Sequence, residues 1–128
     1  MGKCVAFARI KDQVLTMTAS IPEGRVSTYR SLGEHIDVMP RHVAYILTTL
    51  EEAEKAVVPW YRVVAEAGVL SAPSSGRVQT QRELLKQEGV EFADDRKLAN
   101  FAKVFVAAAD LDSGIAKQFR SVGEAVEE

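Results

Sequence analysis

The sequence is poor in the residues that build metal sites and disulfides. Its 128 residues include one cysteine, Cys4, and two histidines, so no internal disulfide can form and we predict neither a metal site nor a cofactor. It also lacks an apolar run approaching the ~20 residues that cross a bilayer. The N-terminal residues lack the continuous apolar core of a signal peptide. We therefore expect a cytoplasmic protein.

The sequence also lacks an excess of positive charge. Its net charge is −2, and residues 1–92 carry 11 Lys and Arg against 11 Asp and Glu. This balance excludes a protein that holds nucleic acid by bulk electrostatics alone, so any DNA binding must use a local basic face and specific contacts. The hydrophobic share of 47% and the charged share of 27% are typical of a globular domain with its own core.

Three helices are predicted in the first half of the chain. The spacing of apolar residues predicts the first over residues 6–20. Ser27 or Thr28 is placed to cap the second, and Pro40 is placed to begin the third. The third carries an apolar stripe of Val43, Ile46, Leu47 and Leu50. A brief turn at residues 37–39 joins the last two helices, which is typical of a helix-turn-helix.

The next segments predict a hairpin and a fourth helix. Residues 57–70 are predicted to form a short hairpin that turns at residues 66–68. Residues 71–76 have the composition of a loop, and residues 77–88 are predicted to form a helix ended by Gly89. Together these elements predict a winged-helix-like α+β domain over residues 1–92.

Residues 93–128 are predicted to form a C-terminal helical extension. After a polar junction, Leu98, Phe101, Phe105 and Ala108 follow a helical period up to Gly114, and Ile115, Phe119 and Val122 suggest a further turn. We expect this extension to pack on the domain, because an exposed stripe with two phenylalanines would promote aggregation. The alternative is a docking helix for a partner.

Three motifs in sequence order carry a resemblance to a known family. Residues 58–64 read Val-Pro-Trp-Tyr-Arg-Val-Val, residues 21–29 read Ile-Pro-Glu-Gly-Arg-Val-Ser-Thr-Tyr, and residues 84–90 read Leu-Leu-Lys-Gln-Glu-Gly-Val. The set resembles the O6-alkylguanine-DNA alkyltransferases, whose active-site segment reads Pro-Cys-His-Arg-Val, and the resemblance ends beyond Phe92. Trp60 stands in the place of the alkyl-accepting cysteine. The chain is therefore similar to the alkyltransferase-like proteins, which usually carry Pro-Trp-His-Arg-Val, and it departs from them at Tyr61.

The resemblance implies a protein that binds a lesion without reacting with it. An indole has no nucleophilic thiolate, and Tyr61 replaces the histidine that would help to deprotonate one, so we expect no enzyme activity. The family implies a sensor that flips O6-alkylguanine out of duplex DNA and directs it to nucleotide excision repair, with that pathway's damage-recognition proteins as partners of a monomeric protein. The expected lesion-pocket residues are Trp60, Tyr61, Pro59, Arg62 and Val63.

The resemblance also assigns DNA-binding roles around the predicted helix-turn-helix. The expected DNA-binding residues are Tyr29, Arg41, Ser27, Thr28, His42 and Tyr45. In the family, a tyrosine at the position of Tyr29 pushes on the phosphate beside the lesion. An arginine in the first turn of the recognition helix enters the gap left by the flipped base, and Arg41 is our candidate for it.

Two further residues are predicted to support the pocket. We expect Arg62 to bond backbone carbonyls or Glu88. Glu88 matches the glutamate that orients the reactive histidine in active alkyltransferases, and here we expect it to be a structural hydrogen-bonding partner. Relatives also use a basic residue in the loop after the hairpin to sense the alkyl oxygen. Residues 72–76 provide no such group, although Arg77 is close.

Other functions compete with this interpretation. A winged-helix transcription regulator that reads undamaged DNA would explain the helix-turn-helix, but it gives no reason for the segment around Trp60, which would then be a plain core aromatic. A transferase that uses Cys4 lacks a general base near that cysteine in the sequence.

Overall fold

The computed structural model describes residues 2–70, 75–112 and 114, with side chains from Ala8 onward except that of Ser75. The helices are α1 (Gly2–Ala19), α2 (Tyr29–Ile36), α3 (Pro40–Thr48), α4 (Glu52–Val57), α5 (Ser75–Gln87) and α6 (Phe101–Val104). The strands are β1 (Ser27–Thr28), β2 (Val63–Val64), β3 (Phe92–Asp94) and β4 (Lys97–Leu98). Three single 3-10 turns complete the set, at Trp60–Arg62, Glu66–Gly68 and Ala108–Asp110.

The predicted helix-turn-helix is confirmed. α2 begins at Tyr29 because Thr28 is extended and its side chain accepts a hydrogen bond of 3.0 Å from the Ser31 amide. α3 begins at Pro40, as predicted. The turn between the two helices approaches α2 closely at Gly33, where a Cβ would lie 2.6 Å from the Val38 carbonyl oxygen, so only glycine fits.

The core consists of two clusters on opposite sides of β2. Val63 belongs to a cluster formed mainly by α1, α2 and α3, whereas Val64 belongs to a second cluster under α5. Adjacent residues of a strand point to opposite faces, so a two-residue strand can contribute to both clusters. The predicted stripe of α3 is buried, and Leu50, which follows the end of that helix, is buried with it. No helix in the described part of the chain is long and apolar enough to span a membrane.

The predicted hairpin over residues 57–70 is largely wrong. β2 pairs in parallel with β1, in the register Ser27 with Val63 and Thr28 with Val64. A hairpin contact survives only as the bridge between Ala65 and Val69, around the 3-10 turn at Glu66–Gly68. The apolar residues of β2 are buried on both faces, which favours pairing with the buried strand β1 over an exposed hairpin. The sequence prediction also missed α4, and α5 begins at Ser75, before the predicted start at residue 77.

The prediction of one helical period from Leu98 to Gly114 is wrong. β3 and β4 form an antiparallel hairpin, and α6 is a single turn. The apolar spacing does not produce a long helix here, because the chain after α6 is extended and pairs with the backbone of Val26. The Val26 amide donates to the Val104 carbonyl at 2.9 Å, and the Val26 carbonyl accepts from the Val106 amide at 2.8 Å. Ile115, Phe119 and Val122 lie outside the described residues.

The described part of the extension packs on the rest of the chain. Leu98 and Ala108 are each 2% exposed, and Phe101 and Phe105 are partly buried. The Ala108 amide donates to Ser31 Oγ in α2 at 2.8 Å. The division of the chain at residue 92 into a domain and an extension stays a prediction.

Candidate functional site

The segment around Trp60 is fixed by its own backbone and by α5. The 3-10 turn at Trp60–Arg62 is closed by the Arg62 amide, which donates to the Pro59 carbonyl at 3.0 Å. Gln81 of α5 is 2% exposed, and its Nε2 donates to the carbonyls of Tyr61 and Val63 at 3.1 and 3.0 Å. These bonds satisfy polar backbone groups that the short strand β2 leaves buried.

Sequence reasoning missed Gln81. The sequence feature that could have revealed it is its position: Gln81 lies between the apolar residues Val78 and Leu85, on the same face of the predicted helix. A polar side chain at such a position predicts a buried hydrogen-bonding partner.

Trp60 is at once a core residue and a neighbour of a cation. Its side chain is 8% exposed and belongs to the first core cluster. The ring of Tyr61 meets it edge-on, with centroids 5.8 Å apart and an interplanar angle of 87°. The guanidinium carbon of Arg77 lies 4.1 Å from the indole centroid, a cation-π contact. Arg77 Nη2 also donates to the Leu47 carbonyl at 2.9 Å, so the cation is tied to the end of α3.

Glu88 is the shared acceptor of the hydrogen bonds that hold the segment around Trp60. It accepts hydrogen bonds from the Tyr61 hydroxyl at 3.0 Å, from the Gly24 amide at 3.1 Å, and from Arg62 through Nε at 3.0 Å and Nη2 at 2.5 Å. The remaining terminal nitrogen of Arg62, Nη1, donates to the Ile21 carbonyl at 2.8 Å. Arg62 therefore bonds both Glu88 and a backbone carbonyl, as the sequence predicted. These contacts connect its own motif, residues 58–64, to the motifs at residues 21–29 and 84–90.

The protonation states in this network follow from burial and pairing. Burial opposes the charged form of Glu88, but hydrogen bonds from Arg62, Gly24 and Tyr61 outweigh it and lower the pKa of the carboxyl below its usual value. Burial and the bond to Glu88 together raise the pKa of Tyr61. The Tyr61 phenol is therefore protonated at neutral pH and acts as a hydrogen-bond donor, not as a base.

Tyr29 lies near Arg77, at the start of α2. Burial raises the pKa of Tyr29, an effect that the positive charge of Arg77 partly offsets. Burial also lowers the pKa of Arg77, and the electrostatic interaction with Tyr29 partly offsets this decrease. Because the phenol stays neutral at physiological pH, Tyr29 can donate a hydrogen bond to an anion.

The remaining predicted DNA-binding residues divide by exposure. Arg41, His42 and Tyr45 are exposed on α3. Ser27 and Thr28 are buried, at 0% and 5% exposure, where they pair with β2 and cap α2. As placed they support Tyr29, and their contact with DNA stays a prediction. The side chain of Cys4 lies outside the described residues.

Comparison with known proteins decides the family. Residues 9–90 match the family described as 6-O-methylguanine DNA methyltransferase, DNA binding domain. The chain belongs to this family. A DNA base-flipping protein from Vibrio parahaemolyticus is 33% identical over 90 residues, which are 68% of this chain and 86% of the relative.

Two solved structures place the chain with the alkyltransferase-like branch of the family. A crystal structure of S. pombe Atl1 in complex with damaged DNA containing O6-carboxymethylguanine has a TM-score of 0.68 and 26% identity, and covers 77% of this chain and 95% of its own. A structure of S. pombe ATL in complex with DNA has a TM-score of 0.66 and 28% identity, with the same coverage. The chain is an alkyltransferase-like protein with an α+β, helix-turn-helix fold.

The structural match covers more of the chain than the sequence motifs do. A share of 77% is about 99 of the 128 residues, more than the 92 that precede the extension. Part of the extension therefore has a counterpart in the Atl1 structure, although its sequence shows no family motif.

The described side chains provide no obvious metal chemistry. Within the part of the chain that the structure describes, no group of three or more His, Cys, Asp or Glu side chains is arranged to hold a metal ion. The chemistry of the site rests on the indole, the guanidinium of Arg77 and the hydrogen-bonded network of Glu88.

Replacing Trp60 by Cys is expected not to create a transferase. The new thiol would need a base to form the thiolate, and the Tyr61 phenol is protonated and already donates to Glu88. Mass spectrometry after incubation with O6-alkylguanine duplex should show no alkyl gain on the Trp60→Cys variant. The double variant Trp60→Cys, Tyr61→His is the matched comparison, because it restores the imidazole beside Glu88. Alkyl gain on the single variant would refute the claim that two losses separate this chain from catalysis.

Proposed function

We propose that this protein is a non-enzymatic sensor of alkylated DNA, which binds O6-alkylguanine flipped out of the duplex. The observation that carries the proposal is the setting of Trp60, which is buried and bordered by a protonated phenol and a guanidinium. By resemblance, Trp60 takes the place of the family's acceptor cysteine. This set offers an indole ring and the donors of the Arg77 guanidinium, but no nucleophile, because the Tyr61 hydroxyl already donates to Glu88. The relatives that bind damaged DNA or flip bases support this reading.

The flipped base would be recognised by the wall of Trp60 and by the lining residues Pro59, Tyr61, Arg62 and Val63. Arg77 is our candidate for the basic group that senses the alkyl oxygen, because its guanidinium lies over the indole. A guanidinium presents several fixed donors, so it can donate to the alkylated oxygen and stack on a ring. The segment of residues 72–76 is then not needed for this role.

The duplex would be opened by Tyr29 and by the exposed face of α3, which enters the minor groove. Tyr29 donates to the phosphate beside the lesion while the base rotates outward. Ser27 and Thr28 hold the start of α2 in place for it. Arg41 enters the gap that the flipped base leaves, and His42 contacts the phosphate backbone. Extrusion costs a few kcal/mol, less for a base whose pairing is already weakened, so the duplex itself contributes to lesion preference.

The finer parts of the proposal concern what happens after recognition. We propose that the bound protein, as a monomer in the cytoplasm, marks the lesion for nucleotide excision repair by binding the damage-recognition proteins of that pathway. The resemblance to the alkyltransferase-like proteins implies this role, and a site without a nucleophile is consistent with it because such a site cannot itself accept the alkyl group.

Trp60 emission is expected to change on adding an O6-alkylguanine duplex and to change little with the same duplex unmodified. Trp60 is the sole tryptophan, and a base that enters the pocket would alter the environment of its ring and its contact with Arg77. A fluorescence titration with the two matched duplexes measures both affinities. Equal responses would remove Trp60 from the pocket, and equal affinities would favour the transcription regulator.

A further inference from the structure

We infer that Arg30 binds a phosphate of the DNA backbone, and that Glu66 occupies the place of this phosphate in the free protein. The inference rests on the proposed function only in requiring that the protein binds duplex DNA. Arg30 donates from Nε to Glu34 at 3.0 Å and from Nη1 to Glu66. The second bond joins α2 to the 3-10 turn at Glu66–Gly68, across 36 residues of sequence.

The pair of Arg30 and Glu66 borders a cavity between the starts of α2 and α3. This cavity has a volume of about 360 Å³ and is lined by Tyr29, Arg30, Pro40, Ala65 and Glu66. Pro40 begins α3 and is followed by the exposed Arg41, so a DNA backbone that meets both Tyr29 and Arg41 passes this cavity. α3 also begins without a side-chain hydrogen bond to its first amides. The positive end of its dipole therefore favours an anion on the same side as Arg30.

The carboxylate of Glu66 presents to Arg30 the same kind of acceptor that a phosphate would. Both groups are anions whose oxygen atoms accept charge-assisted hydrogen bonds from a guanidinium. The side chains of Arg30 and Glu66 are 57% and 62% exposed, so a DNA backbone can reach the pair directly. Exposed ion pairs are weak because both charges remain hydrated. A phosphate can therefore replace the carboxylate of Glu66 at little cost, while Glu34 still holds the Arg30 side chain along α2.

The backbone that carries Glu66 is held in an uncommon conformation. The next residue, Ala67, has a φ of 65° and lies in the left-handed region, which is strained for a residue with a Cβ. Gly68 follows with a φ of 81°, and a Cβ there would lie 2.9 Å from Phe101 Cδ1, so the contact with α6 fixes this turn. Strained turns persist where their surroundings hold them, and they are common at binding sites. The turn places Glu66 against Arg30, and rotation of the exposed Glu66 side chain is enough to release it.

Glu66 would then weaken the binding of every duplex, alkylated or not. Arg30, Glu34 and Glu66 carry one positive and two negative charges, a sum of −1, which opposes a DNA backbone until the carboxylate of Glu66 moves away. Binding that is independent of sequence and lesion depends mainly on phosphate contacts. A carboxylate that competes for one of these contacts lowers the affinity for undamaged DNA, so retention on DNA depends more on the pocket around Trp60. The pair thus helps a sensor to leave undamaged sites.

The test measures the affinity of the full chain for two duplexes that differ by one O6-alkylguanine, at several salt concentrations. Glu66→Gln keeps the size of the side chain and removes its charge. It is expected to strengthen binding to both duplexes by about two- to fivefold, because the phosphate no longer displaces a carboxylate. Adding Arg30→Gln to this variant should abolish the gain on both duplexes. It should also lower the slope of log affinity against log salt by about one, as expected for the loss of one phosphate contact.

Two controls separate a contact at Arg30 from a change in net charge. Glu52→Gln removes the same charge from another exposed ion pair, that with Lys55 in α4, and Glu52 does not line the cavity. It should change the affinities by less than about twofold. On the alkylated duplex, whose lesion fixes the register, single backbone phosphates are replaced in turn by neutral methylphosphonates. One position should weaken the binding of the wild type and of Glu66→Gln but leave the double variant unchanged.

The outcomes separate the inference from the proposed function. A wild type that binds both duplexes equally overturns the lesion sensor, yet a gain for Glu66→Gln that the double variant loses would still support the phosphate contact of Arg30. No gain for Glu66→Gln overturns the inference alone, and so does a gain that the double variant keeps. An equal gain for Glu52→Gln also overturns it and assigns the effect to net charge. A gain confined to the alkylated duplex contradicts a contact with the backbone, which both duplexes share. All the substituted side chains are exposed, so the variants should melt as the wild type does.

Discussion

Replacing Glu88 by Gln is expected to destabilise the protein by about 3 kcal/mol, the cost typical of leaving one member of a buried ion pair without its partner. The side chains of Arg62 and Glu88 are 15% and 9% exposed, so the guanidinium that remains is poorly hydrated. A neutral amide cannot accept as strongly from Arg62, Gly24 and Tyr61 together. Urea denaturation of the wild type and the variant measures the difference in the free energy of unfolding.

The matched control is Glu66→Gln. Glu66 pairs with Arg30 on the surface, where the two side chains are 62% and 57% exposed. Exposed pairs contribute little to stability because both charges are well hydrated and screened by salt. The urea midpoint should therefore hardly move for Glu66→Gln. If Glu88→Gln is as stable as this control, the hydrogen-bonded network around Trp60 makes no net contribution to the free energy of unfolding.

The same network predicts a loss of stability in acid. The folded protein holds the pKa of Glu88 below that of an unfolded chain, which for glutamate is about 4.3. The folded state therefore binds fewer protons than the unfolded state, and the contribution of Glu88 is present above that pH and lost as the pH falls through the folded value. The wild type should lose more stability than Glu88→Gln over this range in acid denaturation. Parallel profiles for the two proteins would contradict the lowered pKa.

Part of the hydrogen-bonded network around Trp60 was predictable from the sequence, because the contact of Arg62 with Glu88 follows from the order of the motifs. The resemblance of three short segments predicted that Arg62 would meet Glu88, and that contact holds across 26 residues of sequence. Local rules also placed Thr28 as a cap and Pro40 as a helix start, because capping depends on one or two neighbouring residues. Lesion and DNA contacts themselves stay predictions.

The errors lie where long-range pairing overrides local spacing. The two valines of β2 have the composition of a hairpin strand, but their partner is β1, some 36 residues earlier in the chain. Phe101 and Phe105 have helical spacing, yet the chain extends at Phe105 to bridge to Val26. Spacing reports only which residues are apolar at a given period, and it contains no information about a free strand edge elsewhere. For Gln81, spacing could indicate a buried amide but not its partners, since these are carbonyls of a distant segment.

A chain that ends at Phe92 is expected to melt at least about 10 °C below the full-length protein. The deletion removes Leu98, which is 2% exposed and packs in the second core cluster beside Leu70 and Leu85. It also removes all of the β3–β4 hairpin except Phe92, and both backbone bonds at Val26. Losing one buried leucine side chain alone typically costs 2–5 kcal/mol, against a total stability of about 5–15 kcal/mol for a small domain. A chain of 128 residues lies between the small domains for which each kcal/mol shifts the melting temperature by about 4–8 °C and the larger ones for which the shift is about 2–4 °C, so about 4 °C per kcal/mol applies here.

A chain that ends at Asp112 is the control, because it keeps β3, β4, α6 and the bond from Ala108 to Ser31. It should melt close to the full-length protein, and Leu98→Ala in the full chain should reproduce part of the loss seen at Phe92. The fraction of the short chain that stays folded should still prefer the alkylated duplex in a binding assay, because Tyr29, Tyr45, Trp60 and Arg77 all precede the deletion. Equal melting temperatures for the chains ending at Phe92 and Asp112 would show that the extension does not stabilise the fold. If such a stable short chain also failed to recruit excision-repair proteins, the extension would instead be a docking element.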